Sequence, residues 1–397
     1  MKPLEGIKVV DFTQAHAGSL CTMILADFGA EVIKIERKGV GDLARYWAPM
    51  KGENSAYFTY LNRGKKSVSI NAASPEGKEI ILDLVRGADV VSENFKYGSM
   101  ERMGLDYEVL KSVNPGIIYA SLNGFGQNGP MKETIGLDLQ LQAMSGIMDR
   151  TGFPDGPPTK VGAALGDQVS GTYMALGIIL SLVNKKKTGQ GQRVDIAILD
   201  SLFSILEAAP MTFCLRGEVP PRVGNSYPSI SPYDAFKTND GYVAIGVSTD
   251  RQWEKFCEAL GMQNLAADER YKTNEARGDN YESGLKQAIE AVTSKMSKFD
   301  IESKLREARL ACGAVCTVTE AMQSDQLKAR NMLVEIEDKA LGKIVVPGTV
   351  IRLLETPGGF SEGAPLLGEH TERYLQQLGY SGEKIDRLRA DSIIETA

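Results

Sequence analysis

Histidine is almost missing from this chain of 397 residues, which contains only His16 and His370. Sites built from several imidazoles are therefore excluded, and any mechanism with a histidine base has two candidates. The five cysteines form an odd, scattered set in a chain too large to need a disulfide framework: Cys21, Cys214, Cys257, Cys312 and Cys316. Cys312 and Cys316 have no further Cys or His nearby in the sequence that could complete a zinc site, so we expect no metal.

Long apolar runs and an excess of basic residues are also missing. The longest uncharged apolar stretch, residues 174–183, is about half of what a bilayer span requires. The first ten residues lack the apolar core of a signal peptide. The formal net charge is −6, which does not favour nucleic-acid binding. We expect a cytoplasmic protein that binds neither membranes nor nucleic acid.

Several catalytic motifs are absent as well, namely G-x-S-x-G, the P-loop and H-E-x-x-H. One G-x-G-x-x-G match, "GFGQNG" at 124–129, follows a predicted strand, and Glu36 ends another where dinucleotide-binding folds place an acid. However, Pro130 follows the match, and the first predicted turn, "TQAHAG", lacks the glycine fingerprint. A dinucleotide oxidoreductase is therefore a disfavoured alternative.

Strand and helix patterns alternate through the first half of the chain. Short apolar runs predict strands at 7–12, 31–36, 67–71, 89–95, 116–122 and 193–199. Helical patterns separate them; one covers 17–30, and Ser74 and Pro75 form the start of another. This alternation predicts an α/β protein with a large, doubly wound, Rossmann-like parallel sheet.

The pattern changes after residue 226. A hairpin with its turn at 239–241 precedes several helical segments, which predicts a smaller α+β domain at 226–325. We assign 1–215 to the first part of the large domain. The C-terminal segment, 326–397, is expected to return to that domain.

One carboxylate stands out in "GAALGDQVSG", residues 162–171. Asp167 lies at the start of a largely uncharged helical pattern, where Asp is a favoured N-cap. A helix N-terminus also stabilises an ionised carboxylate, and a persistently ionised carboxylate can attack a thioester. Gly166 and Gly171 would leave room for a large substrate. The local sequence leaves capping and catalysis both open.

Ordered segments along the whole chain carry a resemblance. These are "PLEGIKVVDFTQAHAG" (3–18), "ADFGAEVIKIER" (26–37), "ENFKYGSMERMGLDY" (93–107), "ASLNGFGQNGP" (120–130), "GAALGDQVSG", "TGQGQRVDIAILDS" (188–201) and "APLLGEHTERYLQQLGY" (364–380). In this set the chain resembles the class III CoA-transferases of the CaiB/BaiF superfamily, which include the formyl-CoA:oxalate and carnitine enzymes.

The resemblance implies a function and a mechanism. Asp167 would attack an acyl-CoA to give an aspartyl anhydride, and then carry CoA as an aspartyl thioester to a small carboxylic acid. Coenzyme A thioester would be a substrate, with no tightly bound cofactor. Backbone amides near Gly166 or in the smaller domain are the expected oxyanion donors. The resemblance also implies an interlocked homodimer.

Site residues carry over from the family by position. The implied CoA-binding residues are Ala15, Arg37, Ile70, Asn94, Phe95, Lys96, Arg102 and Met103. His16 and Leu137 are implied to line the substrate pocket. His16 replaces a glutamine of the oxalate enzyme, and Ile135 and Leu137 replace its lysine and tyrosine. A less polar acyl pocket is expected, with an acceptor other than oxalate.

Two alternatives within the superfamily stay open. An α-methylacyl-CoA racemase needs a histidine and an aspartate, but its "GHD" histidine is Leu137 here. A non-catalytic relative would bind CoA without transferring it.

Overall fold

The computed structural model describes residues 1–227 and 229–397. Its strands follow one another along the chain as β1 Lys8–Asp11, β2 Glu31–Arg37, β3 Met50–Lys51, β4 Asn54–Ser55, β5 Lys66–Ile70, β6 Val90–Glu93, β7 Ile118–Asn123, β8 Arg193–Ala197, β9 Tyr233–Lys237, β10 Tyr242–Gly246, β11 Ala311–Ala314, β12 Leu333–Asp338, β13 Gly342–Pro347 and β14 Ile394–Glu395.

Helices separate most of these strands. They are α1 Ala17–Asp27, α2 Ala56–Asn62, α3 Pro75–Arg86, α4 Ser99–Met103, α5 Tyr107–Val113, α6 Asp138–Met144, α7 Ile147–Arg150, α8 Leu165–Thr188, α9 Ile198–Ser204, α10 Ala209–Arg216, α11 Asp250–Ala259, α12 Gln263–Ala266, α13 Asn274–Asp279, α14 Lys286–Thr293, α15 Lys298–Glu307, α16 Val318–Met322, α17 Asp325–Ala329, α18 Thr371–Gln377 and α19 Gly382–Ala390. Short 3-10 turns cover Leu43–Tyr46 and Glu269–Tyr271, and a π turn covers Tyr281–Leu285.

A seven-stranded sheet organises the larger part of the chain. Its order is β14-β5-β2-β1-β6-β7-β8, and every pairing is parallel except that of β14 with β5. The six parallel strands repeat the 3-2-1-4-5-6 order of doubly wound folds. The predicted large parallel sheet is therefore confirmed. The predicted start of α3 is also present, because Ser74 caps the helix through the Gly77 amide and Pro75 is its first residue.

The strand order reverses between β1 and β6. In open α/β sheets, ligands bind at the carboxyl ends of the strands on either side of such a switch point. The segments that leave these two ends are residues 12–16 and 94–98. The topology alone therefore directs attention to these loops.

Helix α8 lies directly against α1 at this edge of the sheet. A Cβ built on Gly171 would lie 2.4 Å from the Ala17 backbone oxygen, so only glycine allows the two helices to approach this closely. This contact fixes the first turns of α1 and α8 beside each other. His16 immediately precedes the first turn of α1, and Asp167 lies in the first turn of α8.

The chain divides into two compact units. One unit comprises residues 1–147, 160–211 and 325–397, and the other comprises 148–159 and 212–324. The second unit therefore takes in the short segment 148–159, which the sequence pattern placed with the larger domain. It contains the antiparallel sheet β11-β10-β9, which includes the hairpin expected around residue 240, and a core with Trp253 and Phe256.

Within residues 1–227 and 229–397, no individual helix has both the length and the apolarity that crossing a bilayer demands. The sharply bent pair α9 and α10 meets those two criteria when the helices are taken together.

Candidate active site

A cavity of about 270 Å³ opens at the carboxyl ends of the parallel strands, within the larger unit. The loops after β1, β6 and β7 form much of its wall, and the first turn of α8 closes one side. Its polar and charged lining includes His16, Tyr57, Asn94, Lys96, Lys132, Asp138 and Asp167. The cavity therefore coincides with the switch point that the strand order predicts.

Asp167 is not the N-cap of its helix. Helix α8 begins two residues earlier, at Leu165, and Ala164 occupies the cap position without a side-chain hydrogen bond. The capping interpretation of Asp167 is therefore wrong. Its carboxyl group lies in the first turn and lines the cavity.

A second carboxylate, Asp138, occupies the place where a capping side chain would act. Its Oδ1 accepts a hydrogen bond of 2.8 Å from the Gly166 amide, and its Oδ2 accepts one of 2.7 Å from Gln142 Nε2. Asp138 thus caps α8 from the start of α6. The Gly166 amide, one of the expected oxyanion donors, is already engaged in this contact.

The electrostatics of Asp167 also differ from the expectation of a persistently ionised group. Burial, followed by the nearby charge of Asp138, raises the pKa of Asp167 from 3.8 to about 7. Desolvation and a like charge both disfavour the carboxylate, and together they outweigh the favourable field of the helix N-terminus. At neutral pH this carboxyl group is therefore close to half ionised.

His16 is buried at the other side of the cavity, with 7% of its surface exposed. Its Nε2 lies 2.9 Å from Gln168 Nε2, and its Nδ1 contacts the Tyr57 hydroxyl. Because an amide nitrogen can only donate, His16 Nε2 accepts and the ring proton lies on Nδ1. Burial lowers the pKa of His16, although Asp138 opposes this effect. The imidazole is therefore neutral and engaged at both nitrogens.

Two aromatic residues complete this side. The Tyr57 ring centroid lies 5.7 Å from that of His16 and also 5.7 Å from that of Trp47. Burial and the charge of Asp167 raise the pKa of Tyr57 to about 12, so its hydroxyl keeps its proton. Tyr57, Trp47 and Asp138 were not predicted as site residues, and no local motif marks the two aromatics. The signal for Asp138 was its place directly after Leu137, in the segment that corresponds to the "GHD" of the racemases.

The structure brings half of the expected CoA-binding residues to the cavity. Ala15, Asn94, Phe95 and Lys96 line it together with both pocket residues, His16 and Leu137. Asn94 also joins the two loops, because its Nδ2 donates to the Gln14 carbonyl and its Oδ1 accepts from the Gln14 amide, both at 2.7 Å.

The other four residues lie outside the cavity lining. Arg37 is exposed at the end of β2, and Ile70 is buried in the core with 1% exposure. Arg102 is exposed and donates to the Ser99 hydroxyl at 2.8 Å. Met103 packs against the core under β6. Of these four, the two arginines present a charged group to solvent.

The "GFGQNG" loop has a structural explanation. It follows β7, the fifth parallel strand, rather than the first strand, where a dinucleotide fingerprint belongs. Asn123 Oδ1 accepts from the Phe125 and Gly126 amides at 3.0 and 2.6 Å, which closes a tight turn. Asn123 and Gly124 also line the cavity.

No group of three or more His, Cys, Asp or Glu side chains that could hold a metal ion occurs in residues 1–227 and 229–397. The chemical features of the cavity are instead a half-buried carboxyl group whose pKa is raised to about 7, a neutral imidazole and two lysines. Together with the sheet order, they define an α/β protein with a cavity at its topological switch point that carries acidic, imidazole and cationic side chains.

Comparison with known proteins identifies the family. The sequence model of CoA-transferase family III matches residues 4–371. The succinate–glutarate CoA-transferase of Agrobacterium fabrum is 38% identical over 385 residues, which cover 95% of this chain and 96% of that protein. The acetyl-CoA:oxalate CoA-transferase of Acetobacter aceti is 38% identical over 373 residues, covering 92% and 93%.

A solved structure agrees with these matches. A CaiB/BaiF family protein from Brucella suis has 37% identity and a TM-score of 0.88, with 95% of this chain and 99% of that chain covered. The chain therefore belongs to CoA-transferase family III. It is an enzyme of the acyl-CoA:carboxylate CoA-transferase class.

Proposed function

We propose that this enzyme moves CoA from an acyl-CoA to a free carboxylic acid, with Asp167 as the nucleophile. The observation that supports this role most directly is the position of the Asp167 carboxyl group in the cavity, with a pKa raised to about 7 by burial. A poorly solvated carboxylate is a stronger nucleophile than a hydrated one, and it is still ionised in part at neutral pH.

The first half of the reaction loads the enzyme. An Asp167 carboxylate oxygen attacks the thioester carbonyl carbon, the carbon–sulfur bond breaks, and CoA leaves as a thiolate. The thiolate then attacks the aspartyl carbonyl carbon of the anhydride. The carbon–oxygen bond breaks, which releases the donor acid and leaves CoA bound to Asp167 as a thioester.

The second half reverses these steps with the acceptor. Its carboxylate oxygen attacks the aspartyl thioester carbonyl and displaces CoA thiolate, which forms a new anhydride. The thiolate attacks the acceptor's acyl carbon, the new acyl-CoA leaves, and the Asp167 carboxylate is regenerated. No proton is consumed overall, which agrees with a cavity whose imidazole is neutral and engaged.

CoA is proposed to bind as a substrate along the loops that follow β1 and β6. Lys96 lies at the cavity in the second loop, and Arg102 is exposed in the helix that follows. Arg37 is exposed at the end of β2. These three cations suit the phosphoryl groups of CoA. Ile70 is proposed to contribute only through its backbone, because its side chain is buried.

The transferred acids are proposed to be dicarboxylic acids of the size of succinate and glutarate. The names of the two relatives above contain succinate, glutarate and oxalate, which are all dicarboxylic acids. In this cavity the cation Lys132 accompanies the apolar residues Ile135 and Leu137. A carboxylate on a short methylene chain matches that combination better than oxalate does.

Trapping of the intermediate tests the mechanism. The enzyme is incubated with succinyl-CoA and then with hydroxylamine or borohydride, and the modified peptide is mapped by mass spectrometry. We expect modification at Asp167 and none in Asp167→Asn. Modification at another residue, or full transfer by the variant, would refute the assignment.

Racemisation at the α-carbon is the second candidate, because His16 and Asp167 line one cavity. Exchange of the α-proton of an acyl-CoA with deuterium, without any acceptor acid, would support it. Both nitrogens of His16 already hold hydrogen-bond partners, which favours transfer instead. A deuterium-free product after prolonged incubation would exclude the racemase.

A further inference from the structure

Two loops carry the residues that surround Tyr57 in the cavity. The loop after β1 ends at His16, and the loop after β2 ends its 3-10 turn, Leu43–Tyr46, just before Trp47. Both rings contact Tyr57 at centroid distances of 5.7 Å. We propose that Asp42, a buried carboxylate outside the cavity lining, is a positioning residue that holds both loops in place for catalysis.

The contacts of Asp42 link the loops directly. Its Oδ1 accepts a hydrogen bond of 3.0 Å from the Ala15 amide and one of 2.9 Å from the Ala44 amide. The first contact holds the residue just before His16. The second caps the 3-10 turn that leads to Trp47. A single oxygen atom, Asp42 Oδ1, therefore holds both the end of the loop after β1 and the start of the 3-10 turn.

The backbone at Ala15 explains why such an anchor is needed. Its φ is +60°, in the left-handed region that residues with a Cβ rarely adopt. A non-glycine residue keeps this conformation only when its surroundings impose it. The hydrogen bond from the Ala15 amide to Asp42 is a restraint of that kind.

A buried ion pair holds Asp42 in turn. Asp42 Oδ2 lies 2.8 Å from Lys34 Nζ, and both side chains are exposed by 1% or less. The same ammonium donates to the Thr13 carbonyl at 2.6 Å, in the loop that leads to His16. Glu36 Oε2 accepts from the Asp42 amide at 2.9 Å, which fixes the backbone as well. The loop after β1 is thus attached to this network at two points.

The contacts of Asp42 would affect kcat by fixing the positions of the two loops at the cavity. Asp42 lies outside the cavity lining, and its loss would displace His16 and Trp47 relative to Asp167. A displacement of about 1 Å at a reacting centre can cost about 100-fold in rate. The inference rests on the proposed function, since it assumes that these groups surround the acyl transfer.

The test distinguishes the loss of the hydrogen-bond acceptor at residue 42 from the loss of its negative charge. In a Lys34→Met background, Asp42→Asn keeps an oxygen that can accept from the two amides, whereas Asp42→Ala has none. Neither double variant leaves a buried lysine without its partner. We expect kcat of Asp42→Asn to stay within about 10-fold of the Lys34→Met parent, and kcat of Asp42→Ala to fall about 100-fold.

A rescue experiment examines the route through Ala15. Glycine adopts a positive φ without strain. In the Lys34→Met background, Asp42→Ala should therefore cost less than about 10-fold in kcat when Ala15→Gly is also present, relative to the protein with Lys34→Met and Ala15→Gly alone. Equal losses in both backgrounds, or equal kcat for the alanine and asparagine variants, would overturn the inference.

Two controls keep the outcomes distinct. Asp27→Asn breaks another buried pair, with Arg63 at 2.7 Å, and should lower stability without the same fall in kcat. If the wild-type enzyme formed no adduct at Asp167, the proposed function would fail. The position of His16, followed by the chemical shift of its imidazole in each variant, would still decide the role of Asp42.

Discussion

At the scale of single residues, the site depends on two carboxyl groups with different tasks. Asp138 holds the Gly166 amide and accepts from Gln142, so its charge is compensated by hydrogen bonds. Asp167 has a pKa that burial and the nearby charge of Asp138 raise to about 7. Asp138 therefore stabilises the first turn of α8, which carries Asp167.

Replacement of Asp167 by asparagine should abolish transfer and stabilise the fold. The folded-state pKa of about 7 lies above the ordinary 3.8, so the unfolding free energy of the wild-type protein falls as pH rises between these values and stays low above pH 7. At pH 8, we expect Asp167→Asn to gain roughly 2–4 kcal/mol of unfolding free energy and to lose at least about 1000-fold in kcat.

Denaturant unfolding at pH 8 and pH 5 measures this effect. Near pH 5 the folded wild-type protein already carries the protonated acid, so the two proteins should differ much less there. A stability gain of equal size at both values would show that the charge of Asp167 is not its source.

Activity should rise with pH as Asp167 ionises. In the proposed mechanism the attacking species is the carboxylate, so kcat/KM is expected to increase through pH 7 and then level off. Asp138→Asn removes the like charge but keeps an acceptor for the Gly166 amide, so its midpoint should lie at lower pH. A pH–rate series for both proteins provides the measurement. An unchanged midpoint in the variant would contradict the proposed coupling.

At the scale of elements, the position of Asp167 depends on the contact between α1 and α8. The Ala17 oxygen lies where a side chain at residue 171 would begin. From the sequence, Gly171 was expected to leave room for a substrate, but in the structure it allows α8 to pack closely against α1. The local sequence could not show this, since the partner residue lies more than 150 positions away in the chain.

Gly171→Ala should therefore separate the two helices. With its Cβ only 2.4 Å from the Ala17 oxygen, we expect a loss of about 1–3 kcal/mol in unfolding free energy and a fall in kcat of about 10-fold or more. Gly278→Ala is the matched control, because that helical glycine has no heavy atom within 4 Å of the added carbon. It should be neutral or slightly stabilising. Comparable losses in both variants would indicate a general effect of alanine.

Sequence patterns predicted the strands well because buried parallel strands are continuous apolar runs. The start of α8 was predicted less well, since its cap is Asp138, on a different helix. The raised pKa of Asp167 could not be predicted from the sequence either, because burial and the charge of Asp138 act on it only in the folded chain. Tyr57 and Trp47 enter the cavity from segments with no motif, and only the folded chain brings them to His16.

At the scale of the whole molecule, one face of the larger unit remains apolar. Leu176, Leu180 and Val183 of α8 are 50%, 60% and 50% exposed, and Phe203 of α9 is 55% exposed. Their spacing along α8 places them on one side of the helix. An apolar helix face of this kind is typical of a surface covered in an oligomer.

We expect the protein to be a homodimer, and sedimentation velocity measures it directly. Leu180→Glu would place a charge in the covered face and should shift the enzyme toward monomer or lower its solubility. Lys186→Glu, at the exposed end of the same helix, is the control for the charge change. A monomeric wild-type protein at micromolar concentration would refute the homodimer.

The division of the chain also has a consequence for its biosynthesis. The larger unit is made from three separate stretches, and residues 212–324 of the second unit are synthesised before the third of them, 325–397. Strand β14, which covers the outer edge of β5, belongs to that late stretch. During translation, the β5 edge of the larger sheet therefore stays unpaired while residues 212–324 of the second unit are synthesised. Until β14 is made, the β5 edge has unpaired backbone groups and is therefore open to pairing with another chain.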